Sequence, residues 1–324
     1  MKVDSSGIGS HYYGSMKSIA IVVPAYNEEE CVDELARRLK AVFDSEPNYE
    51  WHAVIVENGS TDHTMERLRE IATKNPQFRI IQLSRNFRMD GGLTAGLEFL
   101  TTDACVLMTA DLQDPPELIP SFIRKWEEGY ENIYGVVEER QGTGFIRRMN
   151  SRLFYKVAAR LSDGGIPENA SDFRLVDRKV YETVRSMTER NRFVRGLFAW
   201  VGFKSIGVPF VRPPRYAGIS NAHSLKVIEL ALKGIFAHSY KPLRAISIFG
   251  MVLSSLSFVA LAILALVWFF VGVPFAGYGT IVGLILFAVG MQALTLGIVS
   301  EYIGLVYEEV KGRPNFVVSE KFGF

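Results

Sequence analysis

Cysteine is scarce in this 324-residue chain: Cys31 and Cys105 are the two it has, far apart and outside any CxxC pair. That argues against a structural disulfide, and it predicts two reduced, buried thiols in a cytosolic domain. Net charge is scarce as well. Thirty-six basic against 35 acidic side chains leave +1, which argues against nucleic acid as the main partner. No GxGxxG follows the first strand-like run, so the dinucleotide fingerprint is missing and a nicotinamide-linked dehydrogenase falls with it. The opening MKVDSSGIGSHYYGSMK has no apolar h-region and reads as a disordered tail over residues 1–16, not a signal peptide. Internal repeats and low-complexity stretches are also missing.

What is present is alternation. SIAIVVP (18–24), WHAVIVE (51–57), FRIIQLS (78–84), ACVLMTA (104–110) and ENIYGVV (131–137) read as strands. Helical patterns lie between them, from Cys31 to Phe43, Thr64 to Thr73, Gly92 to Leu100 and Glu117 to Glu127. Strands rich in β-branched residues alternating with helices predict an open, mostly parallel sheet with helices on both faces, Rossmann-like in plan.

Two long uncharged runs follow, Ile246 to Val271 and Thr280 to Ser300, joined by GVPFAGYG. Each meets the ~20 apolar residues needed to cross a bilayer core, so the pair reads as a tight transmembrane hairpin over 244–305. Lys233, Lys241 and Arg244 precede it, and Lys311 and Arg313 follow it, while the linker has no basic residue. The positive-inside rule then puts both termini and the domain at 17–223 in the cytosol, with 306–324 as a cytosolic tail. GFIRRMNSRLFYKVAARL (144–161) and SLKVIELALKGIFAHSY (224–240) are basic and amphipathic. The second, within a juxtamembrane segment at 224–243, is expected to lie at the interface; the first fits an interfacial helix or an ordinary surface helix equally well.

Chemistry gathers at strand ends. The first strand closes in PAYNEEE (24–30) and the second in ENGSTDHT (57–64). Asn58-Gly59 suits a tight turn, and Glu57 offers a carboxylate that can accept base N–H or ribose O–H donors. The fourth runs into TADLQDPPE (109–117), with Asp111, Gln113 and Asp114 ahead of two prolines. Carboxylates at the carboxyl ends of parallel strands face a ligand crevice.

VVPAYNEEE, VENGSTDHT, LSRNF, ADLQDPPE, SDFRLVDR, RFVRGLFAWVGF, YAGIS, KPLR and EYIGLVYEEVKGRP occur in one order from Lys17 to about Val318. In this the chain resembles inverting family 2 glycosyltransferases of the polyprenyl-phosphate type, such as dolichol-phosphate mannosyltransferases and bactoprenol glucosyltransferases. The resemblance implies a GT-A fold, with Pro24, Tyr26, Glu28, Glu57 and Asp111 at a nucleotide sugar. It implies Asp111 and Gln113 on Mg²⁺ or Mn²⁺, matching the second Asp and the Gln of an Asp-x-Asp-x-Gln motif. Asp172 in SDFRL would be the catalytic residue on the acceptor side, and Arg140 and Arg195 would bind the acceptor phosphate. Partners would be the nucleotide-diphosphate sugar, polyprenyl phosphate and the lipid bilayer; the pattern leaves the oligomeric state open, a homo-oligomer included.

The chain departs from that pattern at several positions. Thr109 stands where the first Asp of the metal motif is usual, Glu57-Asn58 where an Asp pair is, and Val137 where the first arginine of an RxxR-like segment is. Asn221-Ala222 replaces Lys-Tyr, and Lys233 replaces Asp. Two rival readings follow: a processive polysaccharide synthase, which expects further spans and a Gln-x-x-Arg-Trp motif, and a non-catalytic scaffold for a true transferase.

Overall fold

The computed structural model describes residues 16–138, 167, 169–216 and 277–324, with scattered helical positions between 248 and 271. In chain order the elements are β1 (Lys17–Ala25), α1 (Val32–Ser45), β2 (Tyr49–Glu57), α2 (Thr64–Lys74), β3 (Phe78–Leu83), α3 (Arg88–Glu98), β4 (Ala104–Leu107) and α4 (Ile119–Glu127). There follow β5 (Asn132–Val137), β6 (Ala170–Asp177), α5 (Arg178–Ser186), α6 (Val194–Trp200), β7 (Ser205–Phe210), α7 (Tyr278–Lys311) and β8 (Val318–Phe322).

The strands form one eight-stranded sheet in the order β7-β5-β6-β4-β1-β2-β3-β8. The pairs β1–β2, β1–β4, β2–β3 and β5–β7 are parallel, and β4–β6, β5–β6 and β3–β8 antiparallel. β1 is central because Ile19 to Val23 are fully buried, an apolar run that serves both faces. One face packs Leu35 and Leu39 of α1, Leu68 of α2 and Phe122 of α4. The other packs Leu93 and Leu97 of α3, Tyr181 of α5 and Phe198 of α6. Cys31 and Cys105 are buried and not joined in a disulfide, as expected.

The expected parallel α/β core is present, with differences that matter for the site. α3 begins at Arg88, four residues before the expected Gly92. Its glycines let it lie close on β1: a Cβ at Gly92 would sit 2.8 Å from Pro24 Cβ, and one at Gly96 2.2 Å from Val22 Cγ1. β4 stops at Leu107, short of Ala110, because the chain turns there to present Asp111. β6 and β7 were not expected. β6 inserts antiparallel between β4 and β5, so the fifth strand joins the sheet through it.

The segment at 306–324, expected to be a tail, instead completes the sheet. β8 pairs with β3, and Glu320 meets Arg69 at 2.6 Å. Immediately before it, α7 runs for 34 residues. Its Phe287–Lys311 stretch, of mean hydropathy 1.4, is long and apolar enough to cross a membrane. Leu284, Phe287 and Ile303 are exposed along it, which suits a lipid surround. Of the first expected span, the described positions between 248 and 271 are helical. Residues 272–276 of the hairpin turn, both amphipathic segments, Arg140, Asn221, Ala222 and Lys233 lie outside the described residues.

Candidate active site

Strand order reverses at β1, which has β4 on one side and β2 on the other. The loops leaving the carboxyl ends of β1, β2 and β4 gather at one edge there, the edge at which open α/β sheets bind ligands. β6 runs antiparallel to β4, with Leu107 opposite Arg174. Its first residues, Ser171 and Asp172, therefore arrive at the same edge as the turn that follows β4.

On the β2 side, the two strand-end loops are tied together. Asn27, with φ 54°, donates its backbone N–H to Ser60 Oγ at 3.0 Å and accepts from Thr61 N at 2.8 Å. Glu28 N donates to Thr64 Oγ1 at 2.9 Å. Glu57 is buried; its Oε1 accepts from Ser60 N, while its Oε2 has no hydrogen-bond partner among the described residues. Asn58 is fully used as a clamp, accepting from Phe87 N and donating to Arg88 O, each at 2.9 Å. An aspartate could not make the second bond, which accounts for Asn at this place. Pro24 is buried under Gly92, and Tyr26 is 41% exposed at the rim.

On the β4 side, Thr109 stands between two carboxylates. Its hydroxyl lies 2.7 Å from Asp111 Oδ1 and 2.8 Å from Asp114 Oδ2, and its N–H donates to Asp114 Oδ2 at 3.0 Å. One hydroxyl proton cannot serve both acids at once. Burial pushes the Asp114 carboxyl above its ordinary range, and Arg212, 3.0 Å away, opposes that rise. Gln113 N donates to Asp111 Oδ1 at 3.2 Å, a turn that Leu112 enters with φ 61°. Arg215 bridges the crevice, its Nε 3.2 Å from Asp111 Oδ2 and its Nη2 3.6 Å from Glu28 Oε1. Burial raises Glu28 despite that cation.

Asp111 and Gln113 are oxygen donors of the kind Mg²⁺ and Mn²⁺ take. Among the described residues, no three His, Cys, Asp or Glu side chains converge as a metal cage. Gln113 meets Asp111 through its main-chain N–H, and Asp111 Oδ2 faces Arg215, so an ion there would complete its shell with substrate phosphate oxygens, the usual mode for Mg²⁺.

Asp172 and Arg195 meet face to face. Arg195 Nε lies 2.8 Å from Asp172 Oδ1, and Nη2 contacts Oδ2. Burial would raise the Asp172 carboxyl, but the Arg195 hydrogen bonds and charge, with Arg174 and Arg212 nearby, hold it below its ordinary range. Arg174 does not take the carboxylate; its guanidinium donates to the main-chain oxygens of Ser171 and Asp172 at 3.0 and 3.4 Å. Burial lowers Arg174 to about 10. A cavity of about 170 Å³ adjoins Arg195, lined by Tyr134, Arg174, Arg195 and Ser205 among others. Ser171 Oγ reaches Asp114 Oδ1 at 3.4 Å, linking the acceptor-side strand to the β4 turn.

The structure therefore joins Glu28, Asp111 and Gln113 in one cluster, Asp172 and Arg195 in a second beside it, and places Glu57 at the β2 end of the same edge. Arg212 and Arg215 escaped the sequence reading. The available signal was the pair of arginines flanking Pro213-Pro214 just after an apolar run.

Residues 20–185 match the family described as glycosyl transferase family 2. A glycosyltransferase of Synechocystis sp. described as uncharacterized, sll0501, is 40% identical over 306 residues, covering 94% of this chain and 96% of its own. YkcC of Bacillus subtilis, also an uncharacterized glycosyltransferase, is 40% identical over 305 residues, 94% of each chain. The SfII prophage-derived bactoprenol glucosyl transferase of Shigella flexneri is 35% identical over 302 residues, 93% of this chain and 97% of its own. Among solved structures the likeness is looser. Mannosyl-3-phosphoglycerate synthase from Rubrobacter xylanophilus is 15% identical, with 73% of this chain and 75% of that one covered at a TM-score of 0.48.

Proposed function

Because this chain belongs to glycosyl transferase family 2, we propose that it moves one sugar from a nucleotide-diphosphate sugar to polyprenyl phosphate at the cytosolic membrane face. The observation that carries the lipid acceptor is the continuity of α7 with β8: the long apolar helix ends in an edge strand of the sheet that bears the crevice. A site tethered in this way meets substrates that live in the bilayer. Relatives named bactoprenol glucosyl transferase support the same acceptor class.

The donor enters at the β1–β4 switch point. Glu57 Oε2 accepts from the base or ribose, Tyr26 and Pro24 border the nucleotide, and Glu28 and Asp111 face the diphosphate through Arg215. A divalent cation on Asp111 and Gln113 would offset the charge that collects on the departing nucleoside diphosphate. The acceptor phosphate is its own nucleophile, since a phosphate monoester with a second pKa of ~6 is mostly dianionic at neutral pH. Its oxygen bonds to the anomeric carbon as the bond from that carbon to the diphosphate oxygen breaks, inverting the centre. Asp172, held ionised by Arg195, accepts a hydrogen bond from a sugar hydroxyl and fixes the geometry of attack. Arg195, with Arg140, meets the incoming phosphate. The domain division of the sequence reading, with catalysis in 17–223 and a membrane hairpin at 244–305, belongs to this proposal, amended by β8.

The test is nucleoside diphosphate release by the purified full-length chain. A panel of nucleotide sugars is run with and without polyprenyl phosphate, and with and without Mn²⁺. Release with one donor, only when the lipid is present, establishes the activity and names its donor. Silence across the panel in folded protein overturns it in favour of the scaffold reading, and a product that lengthens with time overturns it in favour of a processive synthase.

A further inference from the structure

Asp90 lies in the first turn of α3, on a different element from every residue assigned above. Its Oδ1 accepts from Val194 N at 2.9 Å across 104 positions of sequence. Val194 is the first residue of α6, and Phe193 before it offers no side-chain cap. The next residue is Arg195, whose guanidinium grips Asp172. A seven-residue helix is too short to hold its own start, so an acceptor on its first N–H decides where that start sits.

Asp90 is itself held firmly. Thr94 Oγ1 donates to its carbonyl at 2.7 Å. Beside it, Gly91 packs so closely that a Cβ would come within 3.2 Å of Asn315 O. Asn315 in turn donates to Glu189 O at 3.0 Å, anchoring the stretch that leads into α6. We infer that Asp90 is a positioning residue of the transfer reaction: by capping α6 it sets the Arg195 guanidinium against Asp172. The inference rests on the acceptor-side reading of that pair. The charged groups that face Asp90 are Asp172 from β6, and Arg192 and Arg195 from α6 and its lead-in. Burial pushes its carboxyl up to about 6, in keeping with an acid enclosed beside the site.

The test uses the full-length protein in lipid vesicles with polyprenyl phosphate and the donor found by the release assay. Asp90→Ala should lower kcat by about 10- to 100-fold, the cost of a small misplacement at a reacting centre, and leave donor affinity unchanged. Asp90→Asn, whose amide oxygen can still accept from Val194, should recover most of that loss. In an Arg195→Ala background, Asp90→Ala should cost nothing further, because the two act as one unit. Full additivity, or wild-type turnover by Asp90→Ala, overturns the inference. Amide exchange provides a readout that needs no turnover. Exchange at Val194 and Arg195 should accelerate in Asp90→Ala while the β1 amides stay protected; unchanged exchange at α6 also overturns it. Lack of turnover by the wild type would instead refute the proposed reaction and leave the exchange result to judge Asp90.

Discussion

Arg195 addresses Asp172 with two nitrogens at once, and each side chain keeps 27% of its surface exposed. A pair packed into the core would serve the fold alone. A pair with a quarter of its surface open, beside a cavity, keeps room for a ligand. Asp172→Asn keeps the shape and removes the charge that Arg195 compensates. Turnover should fall by roughly 10²-fold or more, with the donor dissociation constant from calorimetry staying within about twofold of wild type. Equal turnover would remove Asp172 from the reaction.

Glu57 holds one oxygen on Ser60 N and leaves the other buried and, among the described residues, unpartnered. A group in that state is costly unless a ligand donates to it. Glu57→Gln keeps the first contact and turns the second oxygen into a donor. Donor binding should weaken by about 1.5 to 3 kcal/mol, the worth of a hydrogen bond to a charged group, with kcat little changed. Calorimetric titration with the donor measures it; unchanged affinity would place the nucleotide elsewhere.

Thr109 spaces two acids that would otherwise repel. Thr109→Asp puts a third carboxylate among them. In chelator the variant should melt below wild type, because like charges are crowded together. Mn²⁺ with nucleotide should restore the melting temperature, and Mn²⁺ should bind roughly tenfold tighter as ligand charge increases. A variant insensitive to Mn²⁺ would put position 109 outside the metal shell.

Asn58→Asp should destabilise this chain. The new oxygen would face Arg88 O without a proton to share. The expected loss is about 1 to 3 kcal/mol, the cost of an unsatisfied buried polar group. Thermal melts of the detergent-solubilised protein test it, and an equal or higher midpoint would show that the α3 loop can rearrange.

Asp90 carries a pH signature. Its carboxyl titrates near 6 in the folded chain against an ordinary 3.8, so between those values the fold binds a proton that the unfolded chain does not. Its contribution is fully present below the lower value and is lost as pH rises through the upper one. The melting temperature of wild type relative to Asp90→Asn should therefore fall from about pH 4 to about pH 6 and then level off. A constant difference would show that Asp90 is not the titrating group.

The parallel core was legible because its strands are contiguous apolar runs, such as Ile19 to Val23, bounded by turn chemistry at Asn58-Gly59 and Pro115-Pro116. β6 was not, because its face toward α6 carries Asp172 and Arg174, charged residues that break the apolar signal of a buried strand. β8 failed for a related reason: VSEKF is a short, exposed edge strand with two charges at its centre. At the site, Asp111, Asp172 and Arg195 were legible from their motifs. Asp90 was not, since an acid in the first turn of a helix usually serves that helix's own dipole, and only the fold brings it to Val194.

The pairing of β3 with β8 has a consequence for how the molecule is made. During synthesis β3 emerges early, and its partner is the last strand of the chain, written after the whole of α7. The catalytic sheet cannot close its edge until the apolar helix has left the ribosome. That helix is therefore made before the sheet is complete, and a chain that stalls or is clipped before Val318 carries an open, pairing-competent edge at β3.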